Sequence, residues 1–416
     1  MKTLVVRGGR PLVGTVMIHG AKNGALPLLA ASLLSRDPCT ILGCPEISDA
    51  ACALEILTYL GCRVQKQRDE IRVDAAESRG FCIPQELSCR MRGSVIFLGA
   101  LLAKHGCAEI FEPGGCALGA RPIDYHIRTL DELGVRAETD GDLLRFSWPS
   151  RKGGVVTLPF PSVGATENLM LAATGVLEPV VIRGAAREPE IAELGRFLRA
   201  MGAEVKGEGS DAVTVCGGMP LRGVRWRVLP DRIETATYLA MTAACGGDVT
   251  LADADAELLE PVLSVLERSG CELCVSGNTI RLRSEGRRKG VGKIRAETYP
   301  GFPTDAQAPV TAALLCAEGN SSIEDTVFPA RFLHVPEMRK FGADIQTDGS
   351  AAVIRGVPAL HPATARATDL RGGAGLLISA LTARGESRIE NAELLLRGYA
   401  EPDVILQKLG AEVFFA

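Results

Sequence analysis

A short signature recurs six times along this chain of 416 residues, at a spacing of roughly 70 residues. In each copy a glycine precedes an alternating stretch, and the copies lie at 60–64, 133–135, 201–205, 269–273, 341–345 and 409–413. The glycine is expected to end an amphipathic helix, and the alternating residues to begin a strand. A repeat of this kind constrains the fold strongly, because each unit must bury its apolar face against its neighbours.

A more apolar segment lies upstream of the signature in every copy. These segments are 24–34, 93–102, 167–176, 233–244, 306–315 and 372–381. Together with the second strand that usually follows the signature, these segments predict a repeated β-α-β-α-β-β unit. A helix that is apolar on all sides is expected inside, so three units would place helices at their centre and sheets outside.

The chain is longer than the size at which one hydrophobic core keeps growing, so the six units should divide into two domains of three. We therefore predict an α/β fold with two inside-out α/β domains, each built from three β-α-β-α-β-β repeats. A cleft between the two domains is the natural place for an active site.

The composition argues against several classes of protein. A net charge of −4 and 5% aromatic residues give no general attraction for nucleic acid and few platforms for base stacking. No apolar run is long enough to span a membrane. The 13 cysteines are odd in number and spread along the chain, which predicts reduced thiols and a cytoplasmic protein.

Metal and cofactor sites are also not expected. The five histidines are scattered, and Cys271 and Cys274 would point to opposite faces of a strand. Neither the phosphate-binding loop of nucleotide hydrolases nor the glycine spacing of dinucleotide-binding proteins occurs. We therefore predict no metal and no cofactor.

Three apolar helices would begin with a cation, at Lys22, Arg92 and Arg371. A cation there opposes the helix dipole, whereas an anionic ligand would be attracted by both the cation and the backbone N–H groups. The alternative is that each cation is simply solvated at the surface. Acidic and hydroxyl residues at the equivalent positions are also explained by helix capping. Repetition at matched positions favours an anion site.

A glycine-rich segment, 112–124, interrupts only the second copy and places Cys116 near Arg121. A cysteine in such a setting is a candidate reactive thiol on a mobile lid. The alternative is a turn with a buried cysteine.

Several of these features, taken together, resemble the UDP-N-acetylglucosamine enolpyruvyl transferase family. The matching segments run in order over essentially the whole chain, at 20–23, 113–116, 119–122, 185–190, 229–235, 302–305, 331–337 and 367–371. The resemblance implies transfer of the enolpyruvyl group of phosphoenolpyruvate to the 3′-hydroxyl of UDP-N-acetylglucosamine, with release of phosphate. It also implies domains at 21–229 and at 1–20 plus 230–416. We expect these two small molecules as the partners, and a monomer.

The resemblance also assigns roles to individual residues. Cys116 would protonate C3 of the donor or attack C2, Asp305 would accept the hydroxyl proton, and Lys22 and Arg397 would assist. The residues expected to bind phosphoenolpyruvate are Lys22, Asn23, Arg121, Arg371 and Arg397. Those expected to bind the UDP-sugar are Arg92, Arg121, Pro122, Ile123, Asp124, Tyr125, Ser162, Val163, Gly164, Asp305 and Val327.

The chain departs from the family pattern at four places. Phe160 replaces a lysine near the nucleotide, Tyr125 replaces an aliphatic residue, 329–330 replace Glu-Asn, and 394–396 form a leucine run. Two alternatives therefore stay open. One is a degenerate copy that binds UDP-sugar or a regulatory partner without turnover. The other is the sister enzyme that acts on shikimate 3-phosphate.

Overall fold

The computed structural model describes residues 2–114, 123–218, 220–285 and 287–416. The described residues form two compact units. Unit A contains residues from 20–114 and 123–229, and unit B contains residues from 2–19 and 230–416. The chain passes from unit B to unit A between His19 and Gly20, and it returns between Leu229 and Pro230.

Helices and strands alternate along the described chain. Up to residue 114 they are β1 (Leu4–Gly8), β2 (Leu12–Met17), α1 (Lys22–Ala31), β3 (Cys39–Leu42), α2 (Ser48–Tyr59), β4 (Arg63–Gln67), β5 (Glu70–Asp74), β6 (Cys82–Ile83), α3 (Gln85–Ser88), α4 (Phe97–His105) and β7 (Cys107–Phe111). From residue 123 to 229 they are α5 (Asp124–Asp131), β8 (Arg136–Asp140), β9 (Leu143–Ser147), β10 (Gly154–Thr157), α6 (Val163–Ala173), β11 (Val180–Arg183), α7 (Pro189–Met201), β12 (Glu204–Lys206), β13 (Ala212–Cys216) and β14 (Arg225–Arg227).

The remaining elements belong to unit B. They are α8 (Arg232–Cys245), β15 (Gly247–Ala252), α9 (Glu260–Arg268), β16 (Glu272–Ser276), β17 (Thr279–Ser284), β18 (Gly292–Ala296), α10 (Gln307–Leu314), β19 (Asn320–Asp325), α11 (Val335–Arg339), β20 (Asp344–Asp348), β21 (Ala351–Arg355), β22 (Thr364–Arg366), α12 (Leu370–Thr382), β23 (Gly385–Glu390), α13 (Pro402–Lys408) and β24 (Glu412–Phe415). No helix within the described ranges is both long enough and apolar enough to cross a membrane.

The strands form six four-stranded sheets in the described part of the chain. Each sheet has one parallel pair followed by two antiparallel pairs, as in β10-β11-β13-β12. Two strands that complete sheets come from distant parts of the chain. β1 takes the third place in the sheet β22-β23-β1-β24, and β2 pairs in parallel with β15. The predicted mixed α/β class, with six repeated units, is confirmed.

Buried helices pack together at the centre of each unit. In unit B, α8, α10 and α12 pack against one another, and nearly all of their residues are buried. In unit A, α4 packs against α1 and α6. The contact between α4 and α6 is close enough that a Cβ on Gly99 would lie 2.2 Å from the Asn168 carbonyl oxygen. The apolar segments of the sequence are therefore the central helices, as predicted.

The six signature glycines share one backbone conformation. Their φ angles lie between 84° and 115°, in the left-handed region that glycine adopts without strain. Gly202, for example, ends α7 in this conformation, and its N–H donates to the carbonyls of Leu198 and Arg199. The recurring Gly is thus the helix stop that the repeat predicted.

Glu193 of α7 is a buried carboxyl that forms hydrogen bonds with the last residues of unit A. Its Oε1 accepts from the Leu229 N–H at 2.8 Å and the Trp226 indole N–H at 3.2 Å. Its Oε2 is buried with no hydrogen-bond partner among the described residues. Burial raises the pKa of Glu193 to about 7, so its proton is retained in the fold well above the ordinary range.

We expect the unfolding free energy of unit A to fall as the pH rises from about 4.5 to 7, because the unfolded chain loses the Glu193 proton first. Glu193→Gln should remove the contribution of Glu193 to this dependence, which amounts to on the order of 3 kcal/mol. Both tryptophans, Trp148 and Trp226, lie in unit A, so their fluorescence in urea reports its unfolding. Glu178→Gln, at an exposed glutamate that also accepts a backbone N–H, is the control. Equal pH profiles for wild type and Glu193→Gln would contradict the assignment.

Candidate active site

Asp305 of unit B lies between two arginines. Its Oδ1 accepts from Arg331 Nη1 at 2.7 Å, and its Oδ2 accepts from Arg371 Nη2 at 3.1 Å and Nε at 3.3 Å. The arginine side chains are 6% and 3% exposed, so both positive charges are buried and this carboxylate compensates for part of them. Of the predicted site residues, Asp305 and Arg371 are therefore in direct contact.

The two guanidinium groups control the ionisation of Asp305. Burial alone would raise its pKa, but the charges and hydrogen bonds of Arg331 and Arg371 outweigh burial and hold the pKa well below its usual range. Asp305 is consequently ionised, and it is a weak proton acceptor while both arginines hold it. Arg331 lies within a matching segment, but sequence analysis assigned it no role.

Arg371 is in the first turn of α12, where a cation opposes the helix dipole. The carboxylate of the N-cap residue Asp369 offsets this unfavourable charge. It accepts from the backbone N–H groups of Arg371 at 3.0 Å and Gly372 at 2.9 Å. The capping role predicted for acidic residues at these positions therefore applies to Asp369. The alternative of a solvated cation does not apply to Arg371, since its side chain is buried.

Asp325 orders the segments that carry Asp305 and Val327. It is fully buried, and it accepts from the Thr304 hydroxyl at 2.6 Å and from the Val327 N–H at 3.0 Å. Residues 329–330, which depart from the family pattern, are exposed in the turn that follows. Arg331 contacts Asp305 despite this departure from the family pattern.

Arg397 ends a 3₁₀ helix, Ala392–Arg397, that leads to the buried Tyr399. Within the leucine run at 394–396, Leu395 is fully buried, and it lies where a Cβ on Gly373 of α12 would be 3.4 Å away. At least this part of the run therefore has a packing role. Tyr399 was not found by sequence reasoning.

In unit A, Lys22 begins α1 and pairs with a buried acid. Its Nζ lies 2.5 Å from Asp49 Oδ2, and the two side chains are 13% and 4% exposed. Asn23 is the next residue of α1. Lys22 is thus not a solvated surface cation. Asp49 lies in the first turn of α2, and its position there was the only sequence signal for it.

The third predicted cation, Arg92, also lies at a helix start, as predicted. It begins a 3₁₀ helix, Arg92–Ile96, which precedes α4. Residues 92–96 form the tighter 3₁₀ turns that often precede an α-helix, and the α-helical ladder starts at Phe97.

Two segments predicted to hold the UDP-sugar meet at His126, which sequence reasoning missed. Ile123 is the N-cap residue of α5, and Asp124 and Tyr125 are its first residues. Ser162 caps α6 by accepting from the Ala165 N–H at 3.4 Å. A Cβ on Gly164 would lie 3.2 Å from His126 Cε1, so the start of α6 packs against this ring. Val163 is the first residue of α6, and Phe160 lies just before it, half-buried.

A hydrogen-bond network fixes the His126 ring. Asn168 Nδ2 donates to His126 Nδ1 at 2.8 Å and to the Val95 carbonyl at 2.9 Å, while its Oδ1 accepts from the Gly99 N–H. Burial, with a smaller contribution from Arg92, lowers the pKa of His126 to about 4. The ring is therefore neutral and Nδ1 is free to accept, which fits this network.

Cys116, Arg121 and Pro122 lie outside the described residues. The last described residues before them approach Cys89, because a Cβ on Gly114 would lie 2.1 Å from the Cys89 carbonyl oxygen. Among the described His, Cys, Asp and Glu side chains, no group of three is arranged to hold a metal ion.

Comparison with known proteins identifies the class. A family model described as EPSP synthase (3-phosphoshikimate 1-carboxyvinyltransferase) matches residues 6–403, and the chain belongs to this family of carboxyvinyl transferases. The chain is also 41% identical, over 98% of both chains, to UDP-N-acetylglucosamine 1-carboxyvinyltransferase 2 of Caldanaerobacter subterraneus subsp. tengcongensis. It is 41% identical, over 99% of both, to UDP-N-acetylglucosamine 1-carboxyvinyltransferase of Halorhodospira halophila.

Solved structures show the same fold. The enolpyruvyl transferase NikO from Streptomyces tendae superposes with a TM-score of 0.90 at 23% identity, over 100% of this chain and 99% of that one. An EPSP synthase from Acinetobacter baumannii gives 0.76 at 17% identity, over 100% of both chains. The resemblance to enolpyruvyl transferases inferred from the sequence is confirmed.

Proposed function

We propose that this protein transfers the enolpyruvyl group of phosphoenolpyruvate to the 3′-hydroxyl of UDP-N-acetylglucosamine, releases phosphate, and so supplies peptidoglycan synthesis. The observation that carries the proposal is the 41% identity, over nearly the full length, to two proteins with this named activity. The described residues add support, since Arg371 is buried, Lys22 is nearly buried and Asp305 is partly buried, and all three are charged. Such groups suit an anionic donor and acid–base chemistry.

The reaction is an addition followed by an elimination. The sugar hydroxyl oxygen attacks C2 of phosphoenolpyruvate, the double-bond electrons take a proton at C3, and Asp305 accepts the hydroxyl proton. The tetrahedral product then loses the C3 proton and expels phosphate, which restores the double bond. In this scheme Cys116 supplies and recovers the C3 proton, or attacks C2 itself to store the group as a thioketal.

Asp305 and the donor would compete for Arg371. The donor carboxylate is proposed to bind this arginine, whose Nε and Nη2 donate to Asp305. Donor binding therefore frees Asp305 from one of its two cations and raises its basicity when the hydroxyl must be deprotonated. Lys22, Asn23, Arg121 and Arg397 are proposed to bind the rest of the donor.

The UDP-sugar is proposed to bind along the segments that lead into α5 and α6. The residues assigned to it are Arg92, Arg121, Pro122, Ile123, Asp124, Tyr125, Ser162, Val163, Gly164, Asp305 and Val327. The packing of α6 against His126 supports this assignment for the residues at the starts of α5 and α6, because it fixes both helix starts. A helix start offers unpaired N–H groups to phosphate.

Phosphate release measured with phosphoenolpyruvate and UDP-N-acetylglucosamine tests the function. We expect turnover with this pair and none when shikimate 3-phosphate replaces the nucleotide sugar. Turnover only with shikimate 3-phosphate would assign the sister activity. UDP-sugar binding by calorimetry without any turnover would identify a degenerate copy.

We expect Lys22→Ala and Arg371→Ala each to weaken phosphoenolpyruvate by on the order of 2 kcal/mol, with a much smaller effect on UDP-N-acetylglucosamine. The reason is that both cations are assigned to the donor alone. Isothermal titration with each ligand measures the difference. Lys104→Ala, at a half-buried lysine that donates to the carbonyls of Leu33 and Ala75, controls for the loss of a structural lysine in unit A. Equal losses for both ligands would contradict the assignment.

A further inference from the structure

Tyr399 links the segment that carries Arg397 to the first turn of α12. It follows the 3₁₀ helix Ala392–Arg397, and only 3% of its surface is exposed. Gly398 permits this approach, since a Cβ there would lie 2.7 Å from Leu370 Cδ2. The phenol oxygen lies 3.0 Å from Arg371 Nη1, and the guanidinium carbon is 5.4 Å from the centre of the ring. One side chain therefore touches Arg371 through both its hydroxyl and its π face.

The hydroxyl also reaches Thr237 of α8, and the direction of each hydrogen bond can be assigned. Tyr399 Oη lies 2.9 Å from Thr237 Oγ1, which is itself 2.8 Å from the Ile233 carbonyl oxygen. A carbonyl only accepts and a guanidinium only donates. Thr237 must therefore donate to Ile233, Tyr399 to Thr237, and Arg371 to Tyr399. The chain of donors ends in the backbone of α8, so the tyrosine hydroxyl has no proton left to offer a ligand.

We infer that Tyr399 is a positioning residue for the donor substrate, because it fixes the Arg371 guanidinium through the one nitrogen that Asp305 does not use. This inference rests on the proposed function, in which Arg371 binds the donor carboxylate. Asp305 holds Nε and Nη2, and the donor is proposed to displace it there. The bond from Nη1 to Tyr399 does not compete for those two nitrogens, so it keeps the guanidinium plane in place during the exchange.

A phenol suits this position better than a carboxylate would. Burial raises the pKa of Tyr399, and the nearby Arg371 only partly opposes this shift, so the hydroxyl stays neutral. A neutral acceptor orients Arg371 without cancelling the positive charge that the donor requires.

Tyr399→Phe tests the inference, because it keeps the ring and removes only the hydroxyl. With phosphate release as the assay, we expect the KM for phosphoenolpyruvate to rise roughly tenfold. The KM for UDP-N-acetylglucosamine should stay within about twofold, and kcat within about threefold. Thr237→Val, which removes the acceptor of the Tyr399 proton, should raise the donor KM by a smaller factor of about three.

Tyr238→Phe is the matched control, since Tyr238 is a second buried tyrosine in unit B and is 2% exposed. It should leave the KM for phosphoenolpyruvate unchanged. If Arg371→Ala raises the donor KM while Tyr399→Phe does not, the inference fails and the proposed function stands. Equal KM changes for both substrates in Tyr399→Phe would also overturn it. If wild type has no activity, or Arg371→Ala leaves the donor KM unchanged, the proposed function fails and the inference fails with it.

Discussion

Cys116→Ser is expected to lose turnover by roughly 10²–10⁴-fold, the range that a general acid contributes. A thiol has an ordinary pKa of about 8.5, whereas a serine hydroxyl is far too weak an acid to protonate C3 at a useful rate. Cys116→Asp should retain turnover, provided that burial and the anionic donor raise the carboxyl pKa towards neutrality. The rate of phosphate release at saturating substrates gives the turnover of wild type, Cys116→Ser and Cys116→Asp. A fully active Cys116→Ser enzyme would remove Cys116 from the proton transfer.

Alkylation tests the reactivity of the Cys116 thiol independently of turnover. Fosfomycin, a small phosphonate epoxide that mimics the donor phosphate, should modify wild type once, at Cys116, and spare Cys116→Asp. Cys89 is the sharpest comparison, because it is exposed and lies beside the segment that leads to Cys116. Cys89→Ser should therefore keep both full activity and the single adduct. Mass spectrometry that places the adduct on any of the other twelve thiols would contradict the assignment.

Asp305→Ala is expected to abolish turnover and to leave UDP-N-acetylglucosamine bound within about tenfold, because a base acts on the transition state more than on the ground state. The structure adds a second effect. Removing this carboxylate leaves Arg331 and Arg371 buried without it, which should destabilise unit B by about 3–5 kcal/mol. Asp305→Asn keeps the shape and an acceptor, so it separates the chemical effect from part of the structural one. Single-turnover kinetics and calorimetry measure the two effects.

The stability effect has a defined dependence on pH. Because the pKa of Asp305 is lowered in the fold, its stabilisation is complete at neutral pH and is lost only as the pH falls below the ordinary carboxyl range. The difference in unfolding free energy between wild type and the Asp305 variants should therefore be constant from pH 6 to 8. Asp248→Asn breaks a comparable but exposed pair with Arg281 and should change neither turnover nor stability by much. Wild-type turnover in Asp305→Asn would exclude Asp305 as the base.

The architecture could be predicted from the sequence because the repeat supplied both the period and the helix stop. Gly202 and its five equivalents need a left-handed φ at the same place in each unit, so their spacing marks the helix ends directly. At Arg92 the sequence predicted the helix start but not that its first turns are 3₁₀, which are frequent at the start of an α-helix. That the N-terminal strands join unit B, whose other residues follow unit A in the chain, was expected only from the family resemblance, because local patterns carry no information on long-range pairing.

Candidate site residues could be proposed from the sequence, but the residues that contact them could not. The cations Lys22 and Arg371 were found because each stands at a helix start, where its charge is unfavourable. The residues that balance or orient them, Asp49 and Tyr399, are far away in sequence and have ordinary local contexts. Nothing local distinguishes a tyrosine that orients an arginine from one that fills a core.

The pairing of β1 and β2 with the distal half of the chain also determines the order in which the protein can fold during its synthesis. β1 pairs with residues 385–389 and 412–415, and β2 with 247–252, so neither strand has its native partner until unit A has been translated. The ends of unit A are already joined by the bond from the Ala21 N–H to the Leu229 carbonyl, at 2.7 Å. Unit A can therefore fold first on the ribosome. At ordinary translation rates of about 5–20 residues per second, β2 waits on the order of 10–50 seconds for its partner strand and β1 on the order of 20–80 seconds. Until their partners emerge these strands are unpaired, and the yield in the cell depends on how well they are protected from aggregation.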